Sequence, residues 1–151
     1  QVLVGDGPAR KNIAQRLPDA VFTGFQKGEA LARHYASADM FIFPSLSETF
    51  GNVVPEAMAS GLAVVAFDHA AAKELITDDV DGRLVSPEDG DGFIHAASEL
   101  CQQPALYARL GRQARQRASG LSWAHIGDRF LAHLIQVQGT QHAATHSTSQ
   151  V

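Results

Sequence analysis

Glu48 and Glu56 stand with seven residues between them in the stretch Pro44-Ser45-Leu46-Ser47-Glu48-Thr49-Phe50-Gly51-Asn52-Val53-Val54-Pro55-Glu56-Ala57-Met58-Ala59-Ser60-Gly61. A hydrophobic core has no use for either carboxylate, so both are candidates for hydroxyl binding. The apolar run ending at Phe43 reads as a buried strand, the polar segment after it as a loop, and the segment from about Asn52 as a helix that stops at Gly61. Ligands of open α/β sheets bind in such a corner, outside the carboxyl end of a strand. The first amides of a helix lack internal partners and carry partial positive charge, which favours a phosphate. Gly51 has no Cβ and permits close approach to the main chain. Asn52 is the expected side-chain N-cap. Glu56, about one turn in and on the face shared with Asn52, could accept both hydroxyls of a ribose. Glu48, on the loop, could reach whatever hangs from the phosphates.

The elements that must position these groups alternate between strand and helix periodicities. Strands are expected at Val2 to Val4, Ala20 to Thr23, Met40 to Phe43, Ala63 to Phe67 and Arg83 to Val85. Helices are expected from about Ala9 to Arg16, Gly28 to Ala38, Asn52 to Ser60 and Ala70 to Ile76. Pro55 is tolerable in the first turn of its helix, where the missing amide had no partner. The continuous apolar run Ala63 to Phe67 suits a strand covered on both faces. Repeated alternation implies right-handed βαβ units, hence an α/β fold with a Rossmann-like, doubly wound parallel sheet. Beyond Glu88 the pattern is helical only. Phe93, Ala96, Ala97 and Leu100 mark one helix, Gly92 to Gln102, and Leu106, Leu110 and Ala114 a second, Pro104 to about Ala118. A last helix, capped by Ser122, carries Trp123, Ile126, Phe130, Leu134 and Val137 as an apolar stripe. Residues 1–138 read as one domain, and the polar segment 139–151 as a disordered tail.

Composition bounds the function. A chain of 151 residues with 45% apolar and 19% charged residues is ordinary for a single globular domain. The net charge of −4 argues against a nucleic-acid or anionic-membrane partner. No apolar run is long enough to span a bilayer. The single cysteine, Cys101, permits no internal disulfide, suits a cytoplasmic location, and reads as a small core residue. Arg109, Arg112, Arg115 and Arg117 read as a solvated helix face. Asp78-Asp79-Val80-Asp81 looks like a metal-binding D-x-D, but its place before Gly82 makes a helix-to-strand loop the better account. Gly5-Asp6-Gly7-Pro8 suits a tight turn as well as a nucleotide contact. His69 reads as a structural or solvated loop residue, with a ligand contact the lesser alternative. His142 and His146, in a segment without periodicity, do not make a metal site. The start at Gln1, inside a strand pattern and without Met, reads as that of a fragment.

The run from Glu48 through Phe50-Gly51 to Glu56-Ala57-Met58-Ala59-Ser60-Gly61 resembles the E-x7-E signature of family 4 glycosyltransferases, and the likeness extends from Val2-Leu3-Val4-Gly5-Asp6-Gly7-Pro8 to about Ile135. Those are retaining enzymes of the GT-B fold, with two Rossmann-like domains around a cleft. The resemblance implies that residues 1–138 are most of the C-terminal, donor-binding domain. It implies that Glu56 holds the ribose hydroxyls and that Glu48, as the catalytic-site residue, contacts the donor sugar without attacking it. Thr49, Phe50, Gly51 and Asn52 would meet the sugar and diphosphate, and Phe25 and Gln26 the base, although Phe25 could equally be core. The donor would be a nucleotide-diphosphate sugar, with no other cofactor and no divalent metal required.

The sequence departs from the family pattern in three places. Ala63 replaces a usual Pro, Ala70-Ala71 stand where a Gly-Gly pair is common, and no stretch matches the first βα unit, whose Arg and Lys grip the pyrophosphate. That unit and the acceptor-binding N-terminal domain are expected to be missing, so the polypeptide alone should not turn over. The acceptor, whether glycan, lipid or small molecule, would be bound through the missing domain, which could also place the enzyme at the inner membrane face. Two other functions fit the same residues. One is a nucleotide-sugar epimerase of GT-B architecture; the other is a nucleotide-sugar-binding module without catalysis.

Overall fold

The computed structural model describes residues 1–48 and 51–121. Five parallel strands alternate with helices: β1 Val2–Val4, α1 Arg10–Arg16, β2 Val21–Gly24, α2 Gly28–Ala36, β3 Met40–Phe43, α3 Val53–Ala59, β4 Ala63–Phe67, α4 Ala70–Leu75 and β5 Arg83–Val85. Two longer helices, α5 Gly90–Gln102 and α6 Pro104–Ser119, follow. The expected α/β architecture is therefore present, with β3, β4 and β5 at their expected bounds. The expected helix capped by Ser122, with Trp123 among its residues, and the segment 139–151 lie outside the described residues.

The middle of the domain is built on β4, all five residues of which are buried. Its side chains alternate between two layers, as strand geometry requires. Val64 and Ala66 join Val54, Ala57 and Met58 of α3, Ala71 and Ala72 of α4, and Ala114 of α6. Ala63, Val65 and Phe67 join Phe93, Ala96 and Leu100 of α5 and Leu110 of α6. Phe67 and Phe93 meet at 4.6 Å between ring centroids. A fully buried Val or Leu contributes about 1.5–3 kcal/mol relative to exposure, so these two layers account for much of the stability.

Register runs Met40↔Ala63 to Phe43↔Ala66 between β3 and β4, and Val65↔Arg83 to Phe67↔Val85 between β4 and β5. β1 and β2 pair with each other, Val2 opposite Val21, and form a separate two-stranded sheet. Among the described residues the strands thus make two parallel sheets, β1-β2 and β3-β4-β5, rather than one.

Three expectations are corrected. Cys101 is exposed, not core. The buried line of α5 runs through Phe93, Ala96 and Leu100, and one residue further turns by about 100°. Cys101 therefore falls on the flank that also carries exposed Ile94, seven residues back. Helix α5 begins two residues earlier than its apolar pattern suggests, because the Asp89 carboxylate accepts the Gly92 amide at 2.8 Å and caps it. Asn52 makes no side-chain cap. Its φ of −76° and ψ of −9° are already helical, whereas a capping side chain needs an extended residue to reach the amides ahead.

Candidate functional site

The chain leaves β3 at Phe43 and enters α3 at Val53. Helix α3 is seven residues long and is held by Val54, Ala57 and Met58, which share one buried face. That spacing turns Glu56 to the exposed side, with Asn52 one turn before it. The Asn52 carbonyl accepts the Glu56 amide at 2.9 Å, so the main chain is helical from this point. The Asn52 side chain is exposed and caps nothing within the helix.

Glu48 is half-buried and folds back over Gly51. A Cβ built on Gly51 would stand 2.5 Å from its Cδ and 2.7 and 2.8 Å from its two carboxylate oxygens. The glycine therefore makes room for the Glu48 carboxylate itself. The structure brings Glu48, Gly51, Asn52 and Glu56 together at the β3–α3 corner. Thr49 and Phe50, also expected at the site, lie outside the described residues.

Phe25 follows the carboxyl end of β2 and is 70% exposed, which removes the alternative of a core residue. The Lys27 ammonium lies 5.1 Å from its ring centroid, a cation–π distance. Gln26 donates through Nε2 to the Thr23 carbonyl at 2.8 Å and is tied to the strand end. An exposed aromatic face beside a fixed polar residue can receive a planar ring.

His69 is exposed between β4 and α4, and its side chain does not cap the helix. The next residue, Ala70, has φ of +46°, a left-handed conformation that costs a residue with a Cβ about 1–2 kcal/mol. This is the position where the resemblance expects glycine, and the backbone keeps a glycine-type turn with alanine in it.

The other acidic and glycine-rich segments have local partners. Asp78 accepts the Leu84 amide at 2.9 Å and Asp81, which is buried, accepts the Thr77 amide at 2.6 Å. Arg83 lies 3.6 Å from Asp78, 3.3 Å from Asp79 and 3.0 Å from Glu99. These contacts hold the α4–β5 loop, as its bland reading expected. Arg109 donates to the Asp79 carbonyl and Arg117 pairs with Asp81, so two of the four exposed arginines of α6 pin that loop as well. In the turn after β1, Asp6 accepts from Gly7 at 2.9 Å and from Arg10 at 3.0 Å. No group of three or more His, Cys, Asp or Glu residues that could hold a metal occurs among the described residues. A shallow groove lined by Asp39, Gly61, Tyr107 and Arg112 lies where the chain enters β3 and β4, the opposite end of these strands from Glu48.

One site residue was missed by reasoning from sequence. Tyr35 of α2 is buried in the cluster that holds α3, within reach of the Glu56 charge. Burial first, and then the nearby Glu56 carboxylate, push the phenol up to about 12. The available signal was a tyrosine on an apolar helix face beside Leu31, since a buried Tyr hydroxyl has to find a partner.

Parallel βα units with carboxylates beyond the strand ends define an α/β domain of the Rossmann-like class. The family model described as glycosyl transferases group 1 matches residues 1–103, and the chain belongs to that family. It is 38% identical over 139 residues to a GDP-mannose-dependent alpha-mannosyltransferase of Mycobacterium tuberculosis, covering 91% of this chain and 36% of that protein. It is 39% identical over 139 residues to the protein of the same description from Mycolicibacterium smegmatis, with the same coverage. Sucrose-phosphate synthase from Thermosynechococcus elongatus superposes with a TM-score of 0.75 at 27% identity, over 92% of this chain and 38% of that one. The fold is thus that of GT-B glycosyltransferases, and the chain spans just over a third of the length of these two mannosyltransferases.

Proposed function

We propose that this chain is the donor-binding part of a retaining glycosyltransferase that moves a sugar from a nucleoside diphosphate to an acceptor hydroxyl. The observation that carries the reading is the β3–α3 corner. The Glu48 carboxylate is seated on Gly51 there, and Glu56 projects from the exposed face of α3. In this reading Glu56 accepts the ribose hydroxyls and Glu48 the hydroxyls of the transferred sugar. The main chain at Gly51 and Asn52 meets the diphosphate, and Phe25 lies against the base. The bond from the anomeric carbon to the diphosphate breaks, the diphosphate leaves with the electron pair, and the acceptor oxygen bonds to the same face as its proton passes to the departing diphosphate oxygen. Glu48 lies beside a carbon that gains positive character, so its charge counts most at the transition state. No described side chain is assigned as the acceptor's base. The diphosphate charge is met by amides and by cations of a first βα unit outside these residues, with no divalent ion assigned.

GDP-mannose is the donor to test first, since both mannosyltransferase relatives are described as GDP-mannose-dependent. The cytoplasm is the proposed compartment, where an exposed thiol such as Cys101 stays reduced. The test is calorimetric titration with GDP, UDP, ADP and GDP-mannose, followed by assay of the full-length protein with the donor that binds. Transfer with retained anomeric configuration, read by NMR, is expected. Epimerised free nucleotide sugar would establish the epimerase reading instead, and binding without turnover the non-catalytic one.

A further inference from the structure

Lys27 has no part in the reading above, yet its ammonium lies over the Phe25 ring, 5.1 Å from the centroid. Phe25 is the most exposed large apolar side chain among the described residues. The segment that carries the pair is fixed at several points. Left-handed glycines bound it, Gly24 at φ +71° and Gly28 at φ +54°. The Gly24 carbonyl accepts the Gly5 amide at 2.8 Å, and Gln26 is tied back to Thr23. Lys27 is extended, at φ −139° and ψ 162°, and side chains two apart on an extended chain project to the same side. Among the described residues no carboxylate pairs with Lys27, and Glu29, two residues on, pairs with Arg33 at 2.7 Å instead.

Helix α2 begins directly after Lys27. Its Leu31 and Tyr35 pack in the cluster that also receives Phe43, the last residue of β3, and Val53, the first of α3. Tyr35, late in α2, meets Phe41, early in β3, at 5.8 Å, so the start of α2 lies toward the β3–α3 corner. The ring and its ammonium thus stand at the end of the domain that carries Glu48. A cation over one face of an aromatic ring is attracted by the ring quadrupole, closes that face and leaves the opposite one for a planar group.

We propose that Lys27 is a positioning residue that fixes the Phe25 ring and leaves one face of it open to the nucleotide base. The inference rests on the reading that places the base against Phe25. It differs from general attraction of a lysine to the diphosphate, because its effect requires both the ring and the base.

Lys27→Met, Lys27→Arg, Phe25→Leu and the double variant Lys27→Met with Phe25→Leu are made in the full-length protein, with folding checked by circular dichroism. Affinities are measured for GDP, UDP and ADP, and for ribose 5-diphosphate, which lacks the base. Lys27→Met is expected to weaken the tightest of the three nucleotides by about twofold to fivefold, the scale of an exposed cation–π contact, and to leave ribose 5-diphosphate unchanged. Lys27→Arg should keep the affinity, since a guanidinium also stacks on an aromatic face. Added to Phe25→Leu, Lys27→Met should have no further effect, because its action passes through that ring. Equal weakening of nucleotide and ribose 5-diphosphate, the same loss in Lys27→Arg as in Lys27→Met, or a full additional loss in the double variant would overturn the proposal. If no nucleotide is preferred over ribose 5-diphosphate, or if Phe25→Leu leaves that preference intact, the base assignment falls and this inference with it. If Phe25→Leu reduces the preference and Lys27→Met does not, the inference alone falls.

Discussion

The carboxylate of Glu48 and the bare Cα of Gly51 occupy one space, and this contact separates chemistry from folding at the residue scale. A methyl group on residue 51 would lie within 2.8 Å of the Glu48 carboxyl atoms. The Glu48 head is the end of a flexible side chain and can swing away at little cost in stability. Gly51→Ala should therefore leave the thermal midpoint nearly unchanged while moving Glu48 off the place proposed for the donor sugar. In the full-length enzyme it should reproduce Glu48→Gln, with kcat reduced by ~100-fold if the lost transition-state interaction is worth ~2.7 kcal/mol. In the proposed reading Glu56 touches a part of the donor that does not change during reaction. Glu56→Gln should chiefly raise KM, because the ground state and the transition state lose the same contact. Steady-state kinetics on the three variants decide the matter. Full kcat in Glu48→Gln together with a large loss in Glu56→Gln would reverse the roles, and full kcat in Gly51→Ala would detach Gly51 from Glu48.

Elements rather than side chains decide how close α6 comes to the sheet. Residue 111 is buried in the middle of α6, where helix propensity alone favours alanine by about 1 kcal/mol. A Cβ there would stand 2.1 Å from the Gly61 carbonyl oxygen and 3.3 Å from the Ala63 amide nitrogen. Both atoms are main chain at the α3–β4 turn, so the helix itself would have to move. Gly111→Ala should destabilise the fold by about 1–3 kcal/mol despite the better propensity, as overpacking does. Denaturant unfolding gives the sign directly, and a stabilised variant would mean that α6 does not press on this turn. The element pattern itself was largely legible, since apolar periods mark β3, β4 and β5 to the residue and most helices to within two. Contacts between elements were not. Nothing in the local spacing tells that Gly111 meets Gly61, or that Cys101 lies just off the buried line of α5. The Asn52 cap failed because composition marks a helix start but not the φ and ψ with which the chain enters it. The glutamates could be singled out as candidates because a carboxylate pair at a strand-to-helix corner has few structural uses.

At the scale of the whole molecule the two parallel sheets raise a question of completeness. Parallel sheets are normally covered on both faces. Here Val2 and Val4, on one face of β1, and Val21, opposite Val2, are 56, 41 and 57% exposed. In a doubly wound sheet of order 3-2-1-4-5-6, the first strand lies between the second and the fourth. With β1 and β2 as second and third, and β3, β4 and β5 as fourth to sixth, the vacant place falls between β1 and β3. A preceding βα unit would fill it, pairing with both strands and bringing a helix to an open apolar face. This agrees with the proposal that such a unit, bearing the cations for the pyrophosphate, belongs to the full-length protein. A chain extended by that unit should bind GDP more tightly than the 151-residue chain by one to several decades, since each charge-assisted contact is worth ~1.5–3 kcal/mol. It should also slow amide exchange in Val2–Val4 and Met40–Phe43. Calorimetry and hydrogen exchange on the two lengths give both readouts. Sub-micromolar GDP binding by the shorter chain, or unchanged exchange in both strands on extension, would show that the donor site and its sheet need no such unit.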